Sequence, residues 1–137
     1  MQIEVHLTHA PIAETLSPSP ITGAGAWVEF RGVVRGEEEG QPIAALEYQA
    51  YSPMAEREIR RIIGDIAQRQ PCLQVSVVHR VGVIPVGQAA IAVGVAAKHR
   101  VEAFALLAEF MDRLKQDVPI WKRRVLTAGD MVELKAR

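Results

Sequence analysis

Apolar and polar residues alternate along several short stretches of the chain, and this period of two is typical of half-buried β-strands. The first such stretch places Ile3, Val5 and Leu7 on one face, whereas the stretch Ala89–Ala97 is apolar throughout, as in a central strand. Residues 17–25 are rich in proline, glycine and serine and predict a loop. Strands are predicted at residues 3–7, 26–34, 43–50, 73–79, 89–97 and 120–126, with a last short strand at 131–134.

Two longer segments carry apolar residues at the spacing of an α-helix. Ser52-Pro53 predicts the start of the first helix, because serine caps helices and proline is tolerated at the first helical position, and Pro71 marks its end. The second helix is predicted over Arg100–Asp117, and Pro119 stops it. The predicted buried residues are Met54, Ile59, Ile62, Ile63 and Ile66 in the first helix, and Phe104, Leu107, Met111 and Leu114 in the second.

The predicted elements follow one another in the order strands, helix, strands, helix, strands. The connection at residues 82–88 is too short for a parallel crossover, so the strands on either side of it are predicted to be antiparallel. This pattern predicts an α+β fold with one mixed or antiparallel sheet, two main helices and additional C-terminal strands. No internal repeat or change of composition divides the chain, and residues 1–137 are predicted to form a single domain.

Composition and charge argue against several classes of protein. Of the 137 residues, 49% are hydrophobic and 23% are charged, which favours a packed core over disorder. Sixteen basic residues balance sixteen acidic ones, and a net charge of zero argues against a general nucleic-acid binder. The N-terminus lacks a signal-peptide pattern, and the longest apolar stretch is far too short to span a bilayer. A single cysteine, Cys72, suits a reducing compartment, so a soluble cytoplasmic protein is expected.

Several kinds of reactive site have no signal in the sequence. No Cys/His cluster has the spacing of metal ligands, and there is no Walker loop, dinucleotide glycine fingerprint or nucleophile elbow. The chain is therefore expected to hold neither a metal nor a cofactor. An enzyme built from these residues would bind anions and move protons, and any reactive sulfur would have to come from a partner.

The tripeptide Lys98-His99-Arg100 stands where a predicted strand ends and the second helix begins. Helix N-termini expose free N–H groups and carry partial positive charge, so an added arginine and histidine indicate a phosphate or carboxylate site. A solvated basic turn is the alternative interpretation, and the spacing alone does not decide between the two.

Lys115 and Lys122 flank Pro119, and a helix end followed by a proline turn can fold both side chains towards one place. Adjacent cations disfavour each other's charge, which can make a lysine a usable acid or base. Both lysines could instead face water, since a lysine late in a helix simply complements the helix dipole. Arg35 ends a strand beside a glycine-rich loop, where it is either an anion-binding residue or an exposed arginine.

The chain resembles the large, catalytic subunit family of molybdopterin synthase. The resemblance runs from about Gly25 to Arg124 and consists of short motifs in order and at compatible spacing. Their joint occurrence makes the signal specific. The motifs are Phe30-Arg31-Gly32-Val33-Val34-Arg35, Leu46-Glu47-Tyr48-Gln49-Ala50-Tyr51 with Pro53-Met54-Ala55, His79-Arg80-Val81-Gly82, Lys98-His99-Arg100, and LKQDVPIWKR from Leu114 to Arg123.

This resemblance implies an α/β hammerhead fold and a homodimer in which each subunit binds one small, ubiquitin-like sulfur-carrier subunit, giving a heterotetramer. It implies transfer of sulfur from the carrier's C-terminal thiocarboxylate to cyclic pyranopterin monophosphate, which makes the dithiolene of molybdopterin. It also implies that Lys115 and Lys122 are the catalytic residues. Arg35, His99 and Arg100 match positions at which the family binds anions.

His99 and Lys115 lie at opposite ends of the second predicted helix, sixteen residues apart. At ~1.5 Å per residue their separation is roughly 24 Å, which is too far for both side chains to reach one small pterin. We therefore predict a composite site, with Lys115, Lys122 and Arg35 from one subunit and His99 and Arg100 from its dimer mate.

Two other classes of function remain open from the residues alone. A non-catalytic module could use the basic residues only to hold a phosphorylated metabolite or a partner's acidic tail. An RNA-binding protein could use Lys122-Arg123-Arg124, but zero net charge and an aromatic content of 5% argue against it.

Overall fold

The computed structural model describes residues 1–16 and 21–136, so residues 17–20 of the predicted loop lie outside the described part. Up to residue 126, strands and the two main helices follow one another in the predicted order strands, helix, strands, helix, strands. The strands are β1 (Gln2–Thr8), β2 (Ala26–Val33), β3 (Glu37–Glu38), β4 (Gln41–Pro42), β5 (Ala45–Ala50), β6 (Gln74–Arg80), β7 (Gly82–Pro85), β8 (Ala89–Ala97) and β9 (Ile120–Leu126). The helices are α1 (Met54–Ala67), α2 (Arg100–Asp117) and α3 (Ala128–Ala136).

A four-stranded sheet with the strand order β1-β6-β8-β2 forms the centre of the fold. β1 pairs with β6 in parallel, whereas β8 is antiparallel to both β6 and β2. Every residue of β8 after Ala89 is buried, which explains why this strand is apolar throughout. The prediction of an α+β fold with a mixed sheet is confirmed.

A three-stranded antiparallel sheet, in the order β7-β5-β9, stands beside the central sheet. Its buried residues Leu46 and Ile84 pack with Val34 and Ala90 in a small second core, which joins the two sheets. β3 and β4 form a separate two-residue hairpin between β2 and β5. This arrangement brings β9 and the end of β2 to the same side of the molecule.

The helices α1 and α2 pack against each other and against the central sheet. Their main core contacts come from Ile59, Ile62 and Ile66 of α1 and from Leu106 and Phe110 of α2, all fully buried. The predicted buried face of α1 is confirmed apart from Met54, which is 43% exposed.

The predicted buried face of α2 is confirmed at Leu114, only partly buried at Leu107 and Met111, and wrong at Phe104. The buried positions are Ala103, Leu106, Phe110 and Leu114, whereas the side chain of Phe104 is 57% exposed. α2 carries apolar residues on more than one face, so periodicity alone favoured the face with the larger side chains. The face that packs against the sheet carries Ala103, Leu106 and Phe110, and a second apolar stripe lies on the exposed side of the helix.

The last short strand predicted at residues 131–134 is also wrong, because these residues belong to α3. Thr127 and Asp130 start this helix with reciprocal hydrogen bonds. The Asp130 N–H donates to Thr127 Oγ1 at 3.2 Å, and the Thr127 N–H donates to Asp130 Oδ2 at 2.8 Å. The spacing Thr-x-x-Asp is that of a capping box, which is the sequence signal that identifies the helix.

Candidate active site

A pocket of about 250 Å³ opens where the end of β2, the strands β5 and β9 and the last turn of α2 meet. Three basic side chains line it, those of Arg35, Lys115 and Lys122. Its remaining walls include Phe30, Val34, Leu46, Met111 and Ile120, so the cations stand over a largely apolar surface. We refer to it as the cationic pocket.

The end of α2 explains how two lysines seven residues apart in sequence reach one pocket. Lys115 lies in the last turn of the helix, and Val118 leaves the helical conformation with φ −93° and ψ 131°. Pro119 follows, and its carbonyl accepts a hydrogen bond from the N–H of Tyr51, which ties the reversal to the end of β5. β9 then runs back along β5 and pairs Lys122 with Tyr48.

The three cations differ in their surroundings. Lys122 Nζ lies 2.9 Å from Glu38 Oε1, and the hydrogen bond and charge of Lys122, with a contribution from Arg35, lower the pKa of Glu38. In the described part of the chain, neither Arg35 nor Lys115 has a carboxylate oxygen within 4.0 Å. Arg35 and Lys115 therefore form no close ion pair within the described residues, and the pocket is suited to an anionic ligand.

Tyr48 and His79 form a neutral part of the pocket wall. Their rings meet edge to face, with centroids 5.3 Å apart. His79 is only 5% exposed, and burial lowers its pKa. Its Nδ1 lies 2.8 Å from the carbonyl oxygen of Arg80, which can only accept, so Nδ1 carries the proton. Burial also raises the pKa of the Tyr48 phenol, so both groups are uncharged at neutral pH.

The predicted residues His99 and Arg100 are not in the cationic pocket. Both are exposed at the opposite end of α2, where His99 is the N-cap in extended conformation. Gly25 lies against this turn: a Cβ there would stand 2.3 Å from the carbonyl oxygen of Lys98, so only glycine allows the close approach. The structure thus brings Arg35, Lys115 and Lys122 together and leaves His99 and Arg100 apart from them.

An apolar stripe runs along the exposed side of α2 between these two ends. Its members are Val101, Phe104, Ala108 and Met111, spaced three or four residues apart, and Lys115 continues the same row. Val101 is 65% exposed and Phe104 is 57% exposed. Phe30 of β2 lines the same shallow groove as Phe104 and Met111, which widens the apolar surface.

Two pocket residues, Glu38 and Tyr48, escaped prediction from the sequence. Glu38 belongs to an acidic stretch between glycines, which is most simply interpreted as a solvated loop. Tyr48 stands in one of the motifs of the family resemblance, but a tyrosine within a strand carries no chemical signal of its own. Only the folded structure shows that both residues line the pocket, because it places the hairpin β3–β4 and the strand β5 next to β9.

Neither a metal site nor a membrane span is found in the described part of the chain. Residues 1–16 and 21–136 contain no group of three or more histidine, cysteine, aspartate or glutamate side chains that could hold a metal ion. Among the helices described, none has the length and apolar character required to cross a membrane.

Comparison with known proteins gives a consistent result. The family model described as MoaE protein matches residues 4–117. A human protein named molybdopterin synthase catalytic subunit is 41% identical over 107 residues, which are 78% of this chain and 56% of the human protein. A protein of the same name from Nostoc is 39% identical over 120 residues, or 85% of this chain and 73% of that protein. The chain spans about half the length of its mammalian relatives.

The fold is also similar to solved structures. A molybdopterin synthase structure from Staphylococcus aureus superposes with a TM-score of 0.78 and is 32% identical in sequence. The match covers 90% of this chain and 91% of that one.

Proposed function

The chain belongs to the MoaE protein family, and on that premise we propose that it is the catalytic subunit of a molybdopterin synthase. In this proposal it is a sulfurtransferase. It moves sulfur from the thiocarboxylated C-terminus of a small ubiquitin-like carrier subunit to cyclic pyranopterin monophosphate. The names of its relatives and the motifs that they share with it support this assignment.

The observation that carries the proposal is the cationic pocket. Both reactants are anions, one a thiocarboxylate and the other a cyclic phosphate ester, and the pocket offers Arg35, Lys115 and Lys122 to such groups. In our proposal Arg35 binds substrate, and the two lysines are catalytic: they stabilise negative charge that develops during transfer and supply protons. The proposed reaction requires neither a metal ion nor an organic cofactor bound to this subunit.

The chain's only cysteine is unsuited to be the sulfur donor. Cys72 is buried away from the pocket, and its Sγ lies 3.6 Å from the carbonyl oxygen of Glu102. Burial, with a smaller effect of the Glu102 charge, raises the pKa of the thiol to about 11, so it is protonated at neutral pH. A protonated, buried thiol is a poor nucleophile, which supports an external sulfur carrier.

The exposed stripe on α2 supports a homodimer with a shared site. If two copies pack their α2 stripes in antiparallel orientation about a two-fold axis, the start of each helix meets the end of the other. His99 and Arg100 of one subunit then lie beside Lys115 of its mate. The side chains of Val101, Phe104 and Met111 become buried in the interface. With one carrier bound to each subunit, the assembly is a heterotetramer.

We propose further that residues 1–137 act as one domain and that the protein works in the cytoplasm. The central sheet and its two helices share one continuous core, which supports the first part. The lone, reduced thiol is suited to a reducing compartment, which supports the second.

A conversion assay tests the proposed reaction. The protein is combined with cyclic pyranopterin monophosphate and a thiocarboxylated carrier from the same source, and molybdopterin is measured. We expect product from the wild type and a loss of at least about 100-fold in turnover for Lys115→Ala, because a group acting in the transition state is removed. Arg57→Ala is the control, since it removes a positive charge from the exposed side of α1.

The same assay separates an enzyme from a non-catalytic binding module. A wild-type protein that binds the carrier and yet forms no molybdopterin would contradict the proposal. Equal turnover by Lys115→Ala and Arg57→Ala would leave the reaction in place and remove Lys115 from it.

A further inference from the structure

Glu38 places one carboxylate among the three cations of the cationic pocket. Its Oε1 lies 2.9 Å from Lys122 Nζ, and both side chains line the pocket. The charge of Arg35 acts on the same carboxylate and contributes to lowering its pKa. In the free protein, Glu38 thus occupies a position on Lys122 that an anionic ligand would take.

The short hairpin that carries Glu38 directs it towards the pocket and its neighbours away from it. Glu37 and Glu39 are exposed, whereas the side chain of Glu38 is 22% exposed. The turn of the hairpin is tight, with positive φ at Glu39 and Gly40, and the Ile43 N–H closes its base by donating to the carbonyl of Gly36. Glu38 therefore differs from the other two glutamates of the stretch in both burial and partner.

We propose that Glu38 is a specificity-determining residue: its carboxylate stays ion-paired with Lys122 until an incoming anion displaces it. This inference rests on the proposed function, because it assigns a role within the same pocket. A free anion must compete with a carboxylate that is always present. An anionic group that a bound partner holds next to the pocket competes at a much higher effective concentration, so the pocket favours tethered anions over free ones.

A titration with inorganic phosphate tests this role without the carrier or the pterin. The affinity for phosphate is measured by calorimetry for the wild type and for Glu38→Gln, which keeps the shape of the side chain and removes its charge. We expect Glu38→Gln to bind phosphate about two- to fivefold more tightly, which is the range for releasing an exposed ion pair. Glu37→Gln is the matched control, because it removes the same charge from an exposed neighbour in the same hairpin.

A double-mutant cycle links the effect to Lys122. In a Lys122→Met background, the gain in phosphate affinity from Glu38→Gln is expected to shrink, since the ion pair that it breaks is gone and only the longer-range charge of Arg35 still acts on this side chain. In the conversion assay, Glu38→Gln is expected to lower KM for the pyranopterin. A purely structural role of Glu38 in the hairpin predicts neither result.

Four outcomes would overturn the proposal. Weaker phosphate binding by Glu38→Gln would mean that the carboxylate positions Lys122 for the ligand. Equal gains for Glu37→Gln and Glu38→Gln would mean that only the overall charge matters. If the wild type forms molybdopterin and Glu38→Gln changes neither phosphate affinity nor KM, the role of Glu38 is wrong and the proposed function stands. If the wild type shows neither phosphate binding nor turnover, the proposed anion site is wrong as well.

Discussion

His99 stands at the N-cap position of α2, and Lys115 lies in the last turn of the helix, sixteen residues further along the chain. At ~1.5 Å per residue the helix holds their backbones roughly 24 Å apart. The apolar stripe of Val101, Phe104 and Met111 fills the exposed side of the helix between them. One subunit therefore cannot use both ends of α2 on one small substrate, whereas two antiparallel subunits can.

Mixing two inactive chains should restore activity if the site is shared. A dimer of one Lys115→Ala chain and one Arg100→Ala chain has one intact site and one that lacks both residues. If the subunits exchange at random, half of the dimers are mixed, and each mixed dimer has one working site out of two. We therefore expect about a quarter of the wild-type turnover. The measurement is the conversion assay after the two proteins are unfolded and refolded together.

A second mixture serves as the control for this experiment. Lys115→Ala and Lys122→Ala alter the same pocket, so neither site of their mixed dimer is complete, and no recovery is expected. If the Lys115→Ala and Arg100→Ala mixture recovers no more than this control, the shared site is wrong.

Placing a charge on the exposed stripe of α2 should separate the proposed dimer. Phe104→Glu puts a carboxylate where two apolar helices would meet, and burying an unpaired charge is costly. We expect the dimer dissociation constant to rise by at least about 100-fold, as for a central interface residue. Sedimentation equilibrium measures it. Val132→Glu is the control, because Val132 is equally apolar and 69% exposed on α3, away from the stripe. A Phe104→Glu protein that stays dimeric would exclude this interface.

The ion pair between α1 and α2 should make stability depend on pH in the acid range. Arg113 Nη1 lies 2.6 Å from Asp65 Oδ2, and this hydrogen bond, together with the charge of Arg113, lowers the pKa of Asp65 below its ordinary 3.8. A lowered pKa in the folded state means that the contribution is complete well above pH 3.8. It is lost as the pH falls below 3.8 and through the lowered value.

Denaturation midpoints measured against pH test this prediction with the variant Asp65→Asn. We expect the wild type to be more stable than Asp65→Asn at pH 7, and the difference to shrink as the pH falls below about 4. Glu4→Gln, an exposed carboxylate for which no pairing is seen in the described residues, should show no comparable trend. A difference that stays constant down to pH 2 would mean that ionisation of Asp65 does not stabilise the fold.

A methyl group at Gly25 should disturb the turn that carries His99 and Arg100. The added Cβ would stand 2.3 Å from the Lys98 carbonyl oxygen, so backbone must move. We expect Gly25→Ala to lower the free energy of unfolding by about 1–3 kcal/mol, as for other overpacked sites. Urea denaturation measures the change. Gly64→Ala is the control, since nothing lies within 4 Å of its Cβ and alanine suits a helix better, so it should stabilise. Equal effects would contradict the close approach at Gly25.

The error on α2 shows why the hydrophobic pattern identified the helix but not its orientation. Its bounds, Arg100–Asp117, follow from local signals, since the helix starts after a basic turn and ends before Pro119. Which face is buried depends on what packs against it, and Ala103 rather than Phe104 lies in the core. Phe104 is exposed in the single chain, and the proposed homodimer would bury it against a second copy.

Hydrophobic period, proline and capping residues act over a few neighbouring positions, so the sequence predicted the main strands, the helices α1 and α2 and the α+β class, but it left the sheet as mixed or antiparallel and missed α3. Which charged side chains meet depends on contacts between segments that are distant in sequence. Lys115 and Lys122 converge through the reversal at Pro119, and Arg35 joins them from the end of β2 because two sheets pack side by side. Glu38 entered the pocket in the same way. Its side chain faces Lys122, 84 residues further along the chain, through a contact that no local pattern records.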